Sequence, residues 1–244
     1  MSISAYRWRT RRPGPIDFRA TGKTRPDQIN GLTLWLDAGY ISGLADGASV
    51  ETWVDRSISA NHATQSNASL RPTYQTNEAN GWPVVRFNGT DQWFDLTSTL
   101  NIQVMTLVCV IKPTTPDGYR SVFGSNTNGI SFQIADNAKM SLVKTNALGL
   151  LEQTTAISTS VFSVLTGTYS NPNAAIFTNR NADGTASVAA GFTYTNSYIG
   201  KQDSTGSYQY WYGDIAECLV YNNVLSSENK TLLWDYLLDK YAIP

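Results

Sequence analysis

Residues 31–65, GLTLWLDAGYISGLADGASVETWVDRSISANHATQ, are the most legible part of this chain. Leu32, Leu34 and Leu36 alternate with Thr33, Trp35 and Asp37, the period of a strand that buries one face. A glycine-punctuated loop follows. A short strand over 51–54 then runs into Asp55-Arg56-Ser57 and Asn61-His62-Ala63, side chains suited to turns and to hydrogen bonds with nearby backbone.

Downstream the strand pattern repeats. Residues 84–87 and 93–96 read as two short strands around Asn88-Gly89-Thr90-Asp91, whose Asn-Gly pair signals a tight turn. Residues 104–111 are apolar on both alternating faces except at Thr106, which predicts a central strand covered on both sides. Shorter candidates at 119–123, 130–135, 140–144, 162–169, 174–178 and 186–190 are separated by turn-rich pieces such as NTNG (126–129), NPN (171–173) and NADG (181–184). That spacing predicts two packed antiparallel sheets. The last strand, 208–221, is again apolar on both faces around 215–220 and is expected beside the strand that holds Trp35. Ser226 or Ser227 caps a helix predicted over 226–241, whose Leu233, Leu237 and Tyr241 lie along one side and are expected to seal an edge or end of the sandwich.

Together with WPVVRFNGTD (82–91) and GDIAE (213–217), the opening stretch resembles the laminin-G-like jelly rolls of the concanavalin A-like lectin and glucanase superfamily. The resemblance covers residues 31–244. It implies an all-β, two-sheet antiparallel jelly-roll sandwich whose first and last strands pair, to which the residue patterns add the short C-terminal helix and an extended arm over 1–30. Its members include sugar binders, adhesion modules, glycosidases and phage decoration, fibre and tail proteins, so the fold alone does not choose an activity.

The length suits one large all-β domain with an appendage. Seven basic residues face only Asp17 within 1–25, a local charge of +6, which leaves −7 on the rest of a chain whose total is −1. No window approaches the roughly 20 apolar residues of a bilayer span, and the N-terminus has charges without an apolar core or cleavage site, so neither a membrane segment nor a signal peptide is expected. Cys109 and Cys218 sit in apolar strands and read first as buried small hydrophobes, with a disulfide between neighbouring strands as the alternative.

Residues 1–30 contain three prolines, no periodicity and aromatics interleaved with arginines. Such a segment becomes ordered by lying on a partner or on its own body. Tyr6, Arg7, Trp8, Arg9, Arg11, Arg12, Arg19 and Arg25 are the expected docking residues, with an acidic protein subunit favoured over nucleic acid because the cluster is short and the body is acidic.

Catalytic clusters are hard to find. Glycosidases of the superfamily carry Glu-x-Asp-x-x-Glu on one strand, and none of the five glutamates here (Glu51, Glu78, Glu152, Glu217, Glu228) begins that pattern. His62 is the only histidine and reads as a hydrogen-bonded loop residue. No Gly-x-Ser-x-Gly elbow is present. The chain is therefore expected not to be an enzyme and to need no cofactor, with Asp91 and Asp95 as weak calcium candidates. A sugar platform needs aromatic faces beside amides and carboxylates, and Trp82, Trp93 and Tyr210 with Asn88, Asp91 and Gln92 are the candidates. The leading expectation is a structural or adhesion module of a virion, made in a host cytoplasm and anchored by its arm to other subunits, with homo-oligomerisation open. The alternative is a carbohydrate-binding module for a surface glycan.

Overall fold

The computed structural model describes residues 22–100, 103–115, 118–126, 129–135, 137–144, 149–187, 191–192, 196–203 and 209–244. The strands are β1 (Leu32–Asp37), β2 (Thr52–Trp53), β3 (Ala63–Thr64), β4 (Thr73–Ala79), β5 (Trp82–Asn88) and β6 (Phe94–Leu96). Next come β7 (Val104–Pro113), β8 (Arg120–Ser125), β9 (Ile130–Ile134), β10 (Met140–Lys144) and β11 (Gly149–Glu152). They continue with β12 (Ser163–Ser170), β13 (Asn173–Thr178), β14 (Asn181–Ser187), β15 (Ser197–Ile199) and β16 (Tyr212–Tyr221), and α1 (Ser227–Tyr241) closes the chain.

Two eight-stranded antiparallel sheets stack as a jelly-roll sandwich. One is ordered β14-β13-β12-β7-β16-β5-β4, with β1 also on β16, and the other β11-β10-β9-β8-β15-β6-β3-β2. On one edge β16 pairs its first half with β5 and its second with β1, so Trp35 faces Leu219 across the ladder. The predicted meeting of first and last strands is thus found. The Asn88-Gly89 turn forms too, but it carries the chain from β5 in one sheet to β6 in the other and makes no hairpin.

Both faces of β7 and β16 are buried, for two different reasons. Leu107, Cys109, Ile111, Ile215, Cys218 and Val220 point between the sheets. Val108, Val110, Ala216, Leu219 and Tyr221 point outward, under Leu233, Trp234, Leu237 and Tyr241 of α1. The helix therefore covers the outer face of a sheet instead of sealing an edge or end. Apolar periodicity predicts its buried stripe but does not say which surface receives it. The thiols of Cys109 and Cys218 face each other across the ladder at 3.6 Å and are unbonded.

A register shift between Ile215 and Glu217 interrupts the alternation. It turns Glu217 to the outer face, where Trp35 Nε1 donates to Oε1 at 2.6 Å and Tyr241 OH donates to Oε2 at 2.8 Å. Lys240 Nζ, 1% exposed, bridges Glu217 and Asp37 at 2.8 and 2.6 Å. This buried cluster ties the helix to β1 and β16.

The arm residues Tyr6, Arg7, Trp8, Arg9, Arg11, Arg12 and Arg19 lie outside the described residues. The described end of the arm rests on its own domain: Lys23 pairs with Asp239 at 2.9 Å, Arg25 pairs with Asp27 and stands 5.8 Å from the Trp35 ring, Tyr221 OH donates to Pro26 O, and Ile29 is buried under the helix layer. Among the described residues, no helix is long and apolar enough to cross a membrane.

Candidate functional site

Two aromatic sites stand out in the sandwich. The first is a cleft of about 390 Å³ between the loop after β1 and the segment around β2. Asp37 ends β1 and caps the following turn, Ala38–Tyr40, by accepting from Gly39 N at 2.8 Å. A side chain at Gly39 would run into the Trp82 ring, 2.8 Å from where its Cβ would stand, so the turn passes close over Trp82.

The turn projects Tyr40 over the cleft with 56% of its surface exposed. Its ring is held in place from behind. The Arg56 guanidinium lies 3.1 Å from the Tyr40 centroid and 3.9 Å from that of Trp35, a stack that fixes the tyrosine at little entropic cost.

Arg56 owes its position to the loop read at the outset. Asp55 accepts from Trp35 N at 2.8 Å, from Ser57 Oγ at 2.7 Å and from Asn61 N at 2.8 Å, and its own N–H donates to His62 Nδ1 at 3.1 Å. His62 is thus a hydrogen-bonded loop residue, as its context predicts. Trp53, Val54, Ser42, Glu51 and Arg71 complete the cleft. Trp53 is fully buried, and its indole N–H has no acceptor among the described residues. Glu51 and Arg71 pair at 2.9 Å, and Arg71 Nε also donates to Gln65 O at 2.8 Å.

The second site is the corner formed by the turn between β5 and β6. Trp93 and Tyr210, both half-buried, have ring centroids 5.9 Å apart at a tilt of 36°. Lys201 Nζ stands 4.0 Å from the centroids of both Trp93 and Tyr198. Burial lowers the Lys201 pKa to about 8, against the opposing pull of Asp95 and Asp203.

Gly89 takes a positive φ of 73°, and a Cβ there would meet Tyr212 Cβ at 2.6 Å, so the turn depends on that glycine. Asn88 accepts from Thr90 N and donates to Asp91 Oδ1 at 2.8 Å, while Gln92 accepts from Asn88 N and donates to Arg71 O at 2.8 Å.

Of the residues proposed as a sugar platform, the fold gathers Asn88, Asp91, Gln92, Trp93 and Tyr210. Trp82 stands apart: it occupies the other end of β5, 4.8 Å from Lys240, where it packs against the helix layer. Asn88, Asp91 and Gln92 hold the turn through these hydrogen bonds. Asp91 accepts from Asn88 and Asp95 from Trp93 Nε1 at 3.3 Å, and among the described residues no three His, Cys, Asp or Glu side chains gather as a metal site.

Sequence reasoning missed Tyr40, Trp53 and Arg71. The signal for Tyr40 was present in Asp37-Ala38-Gly39-Tyr40, a capping residue before a turn that ends on an aromatic.

A family model described as the concanavalin A-like lectin/glucanases superfamily matches residues 87–229. No curated protein sequence matches the chain. Among solved structures, a Trypanosoma rangeli sialidase bound to 2,3-difluoro-KDN superposes with a TM-score of 0.61 at 15% identity, over 84% of this chain and 32% of that one. The same organism's sialidase with sialic acid gives 0.59 at 16%, over 84% and 33%. Botulinum neurotoxin type C, which depends on two ganglioside molecules to enter cells, gives 0.59 at 13%, over 85% and 51%. The chain thus spans about a third of the length of these sialidases.

These neighbours overturn the expectation of a virion module anchored by its arm. They are sialidases and a ganglioside-dependent toxin, and the carbohydrate-binding alternative fits them better. Local charge says that a segment seeks opposite charge, and the described end of the arm meets Asp239 and Asp27 of its own chain.

Proposed function

This chain belongs to the concanavalin A-like lectin/glucanase superfamily, and on that premise we propose that it is a carbohydrate-binding module whose sugar site is the cleft beneath Tyr40. The observation that carries the reading is Tyr40 itself, a half-exposed ring pinned from one side by Arg56 above a cleft edged with hydroxyls, a carboxylate and a guanidinium. A pyranose offers an apolar face and a rim of hydroxyls. The ring receives the face, while Ser42 and Glu51 serve the rim.

The module binds without turnover. Acid-base hydrolysis of a glycoside takes two carboxyl groups flanking the bond, and the cleft offers Glu51 alone, because Asp37 is held by Gly39 N and Lys240. Glu217 is enclosed under the helix.

A glycan array read with the full chain and a Tyr40→Ala variant tests the proposal. Binding that falls about tenfold or more in the variant supports it, in line with the roughly 1–1.5 kcal/mol that an aromatic contact contributes beyond its buried area. Equal binding by the two proteins, or none by either, would remove the cleft from the account.

A further inference from the structure

We propose that the cleft and the Trp93–Tyr210 pair are two subsites of one track, so that the ligand is an oligosaccharide lying across both and not a single sugar. The inference rests on the carbohydrate-binding reading above. At about 390 Å³ the cleft is at the small end of ligand pockets and has room for a terminal unit. The rest of a glycan must continue over the surface beside it.

Arg71 joins the two places. Its guanidinium lines the cleft and holds Glu51, while its backbone carbonyl accepts from Gln92 Nε2 at 2.8 Å, and Gln92 is the residue before Trp93. A second strut runs alongside. Arg71 Nε donates to Gln65 O at 2.8 Å, and Gln65 Nε2 donates to Trp93 O at 3.1 Å.

Both glutamine amides are spent on backbone carbonyls, so they set the separation of the subsites and do not read the ligand. Gln92 is fixed from its other side, its Oε1 accepting from Asn88 N at 2.9 Å. At the far end the tilted rings of Trp93 and Tyr210 make a step on which a second pyranose stacks. Two rigid subsites on one support convert the second contact into an intramolecular event, which raises affinity with ligand length and needs no new contact in the cleft.

Calorimetric titration of gluco-, xylo- and N-acetylglucosamine-based oligosaccharides, from one unit to six, tests the track on the full chain and on Trp93→Ala and Tyr210→Ala variants. In the series that binds, affinity is expected to rise about a hundredfold or more with length. Each variant is expected to lose more affinity for the long ligands than for the single unit. Two variants guard against one that folds poorly, with circular dichroism as the check. Affinity that does not change with length, or a rise that survives in both variants, overturns the track while leaving the cleft intact. Failure of every series at every length, together with no binding on the glycan array, overturns the carbohydrate reading itself.

Discussion

At the scale of single residues, the buried charges are where the sequence was least informative. Asp37, Glu217 and Lys240 are far apart in the chain, and no local pattern announces that a bulge will turn Glu217 beneath a helix. Burial, and after it the neighbouring Asp37, raises the Glu217 pKa from its ordinary 4.5 to about 7, although Lys240 pulls the other way. A carboxyl that holds its proton more tightly when folded favours the fold at low pH. That contribution is complete below about 4.5 and is lost as the pH rises through about 7. Thermal unfolding from pH 4 to 8 is expected to show this decline in the native chain and a flatter profile in Glu217→Gln. The variant should also be less stable throughout by about 1–3 kcal/mol, since an amide cannot accept from Trp35, Tyr241 and Lys240 together. An unchanged pH profile would show that Glu217 titrates as an exposed carboxylate does.

Secondary-structure elements were easier to read than their neighbours in space. The alternation at Leu32, Leu34 and Leu36, the two-faced apolar runs of β7 and β16 and the Ser226 cap were all visible in the residues. β4 and β15 were not. The exposed middle of β4 is Gln-Thr-Asn-Glu, and β15 is too short at three residues for any period to show. The helix teaches a related lesson, because its stripe was legible and the surface under it was not. Trp234 packs on that surface and its indole N–H donates to Thr166 Oγ1 at 3.0 Å. Chemical denaturation should show Trp234→Ala losing about 3–5 kcal/mol. Ser226→Ala, which removes an acceptor for Asn229 N, should lose about 1 kcal/mol. If instead the helix were an appendage that does not support the sandwich, both variants would unfold with the native midpoint.

For the molecule as a whole, the sequence supplied the two-sheet sandwich and half of the candidate site, and physical reasons separate what was visible from what was not. Asn88 to Trp93 are contiguous, so their meeting could be read from a turn signal. Tyr40, Trp53 and Arg71 meet only because the β1 turn, the β2 segment and the loop before β4 converge, and that convergence is a product of the complete fold. The comparisons agree with the sandwich, and at 13–16% identity they show the fold alone. The cleft is therefore where the account stands or falls. Its most direct test is the indole ¹H–¹⁵N resonance of Trp53, followed by NMR while the glycan selected on the array is added. The account predicts that this signal, from a ring in the cleft wall, moves and saturates together with signals of Tyr40 and Arg71 as the cleft fills. Saturable shifts elsewhere, with Trp53, Tyr40 and Arg71 unmoved, would contradict it.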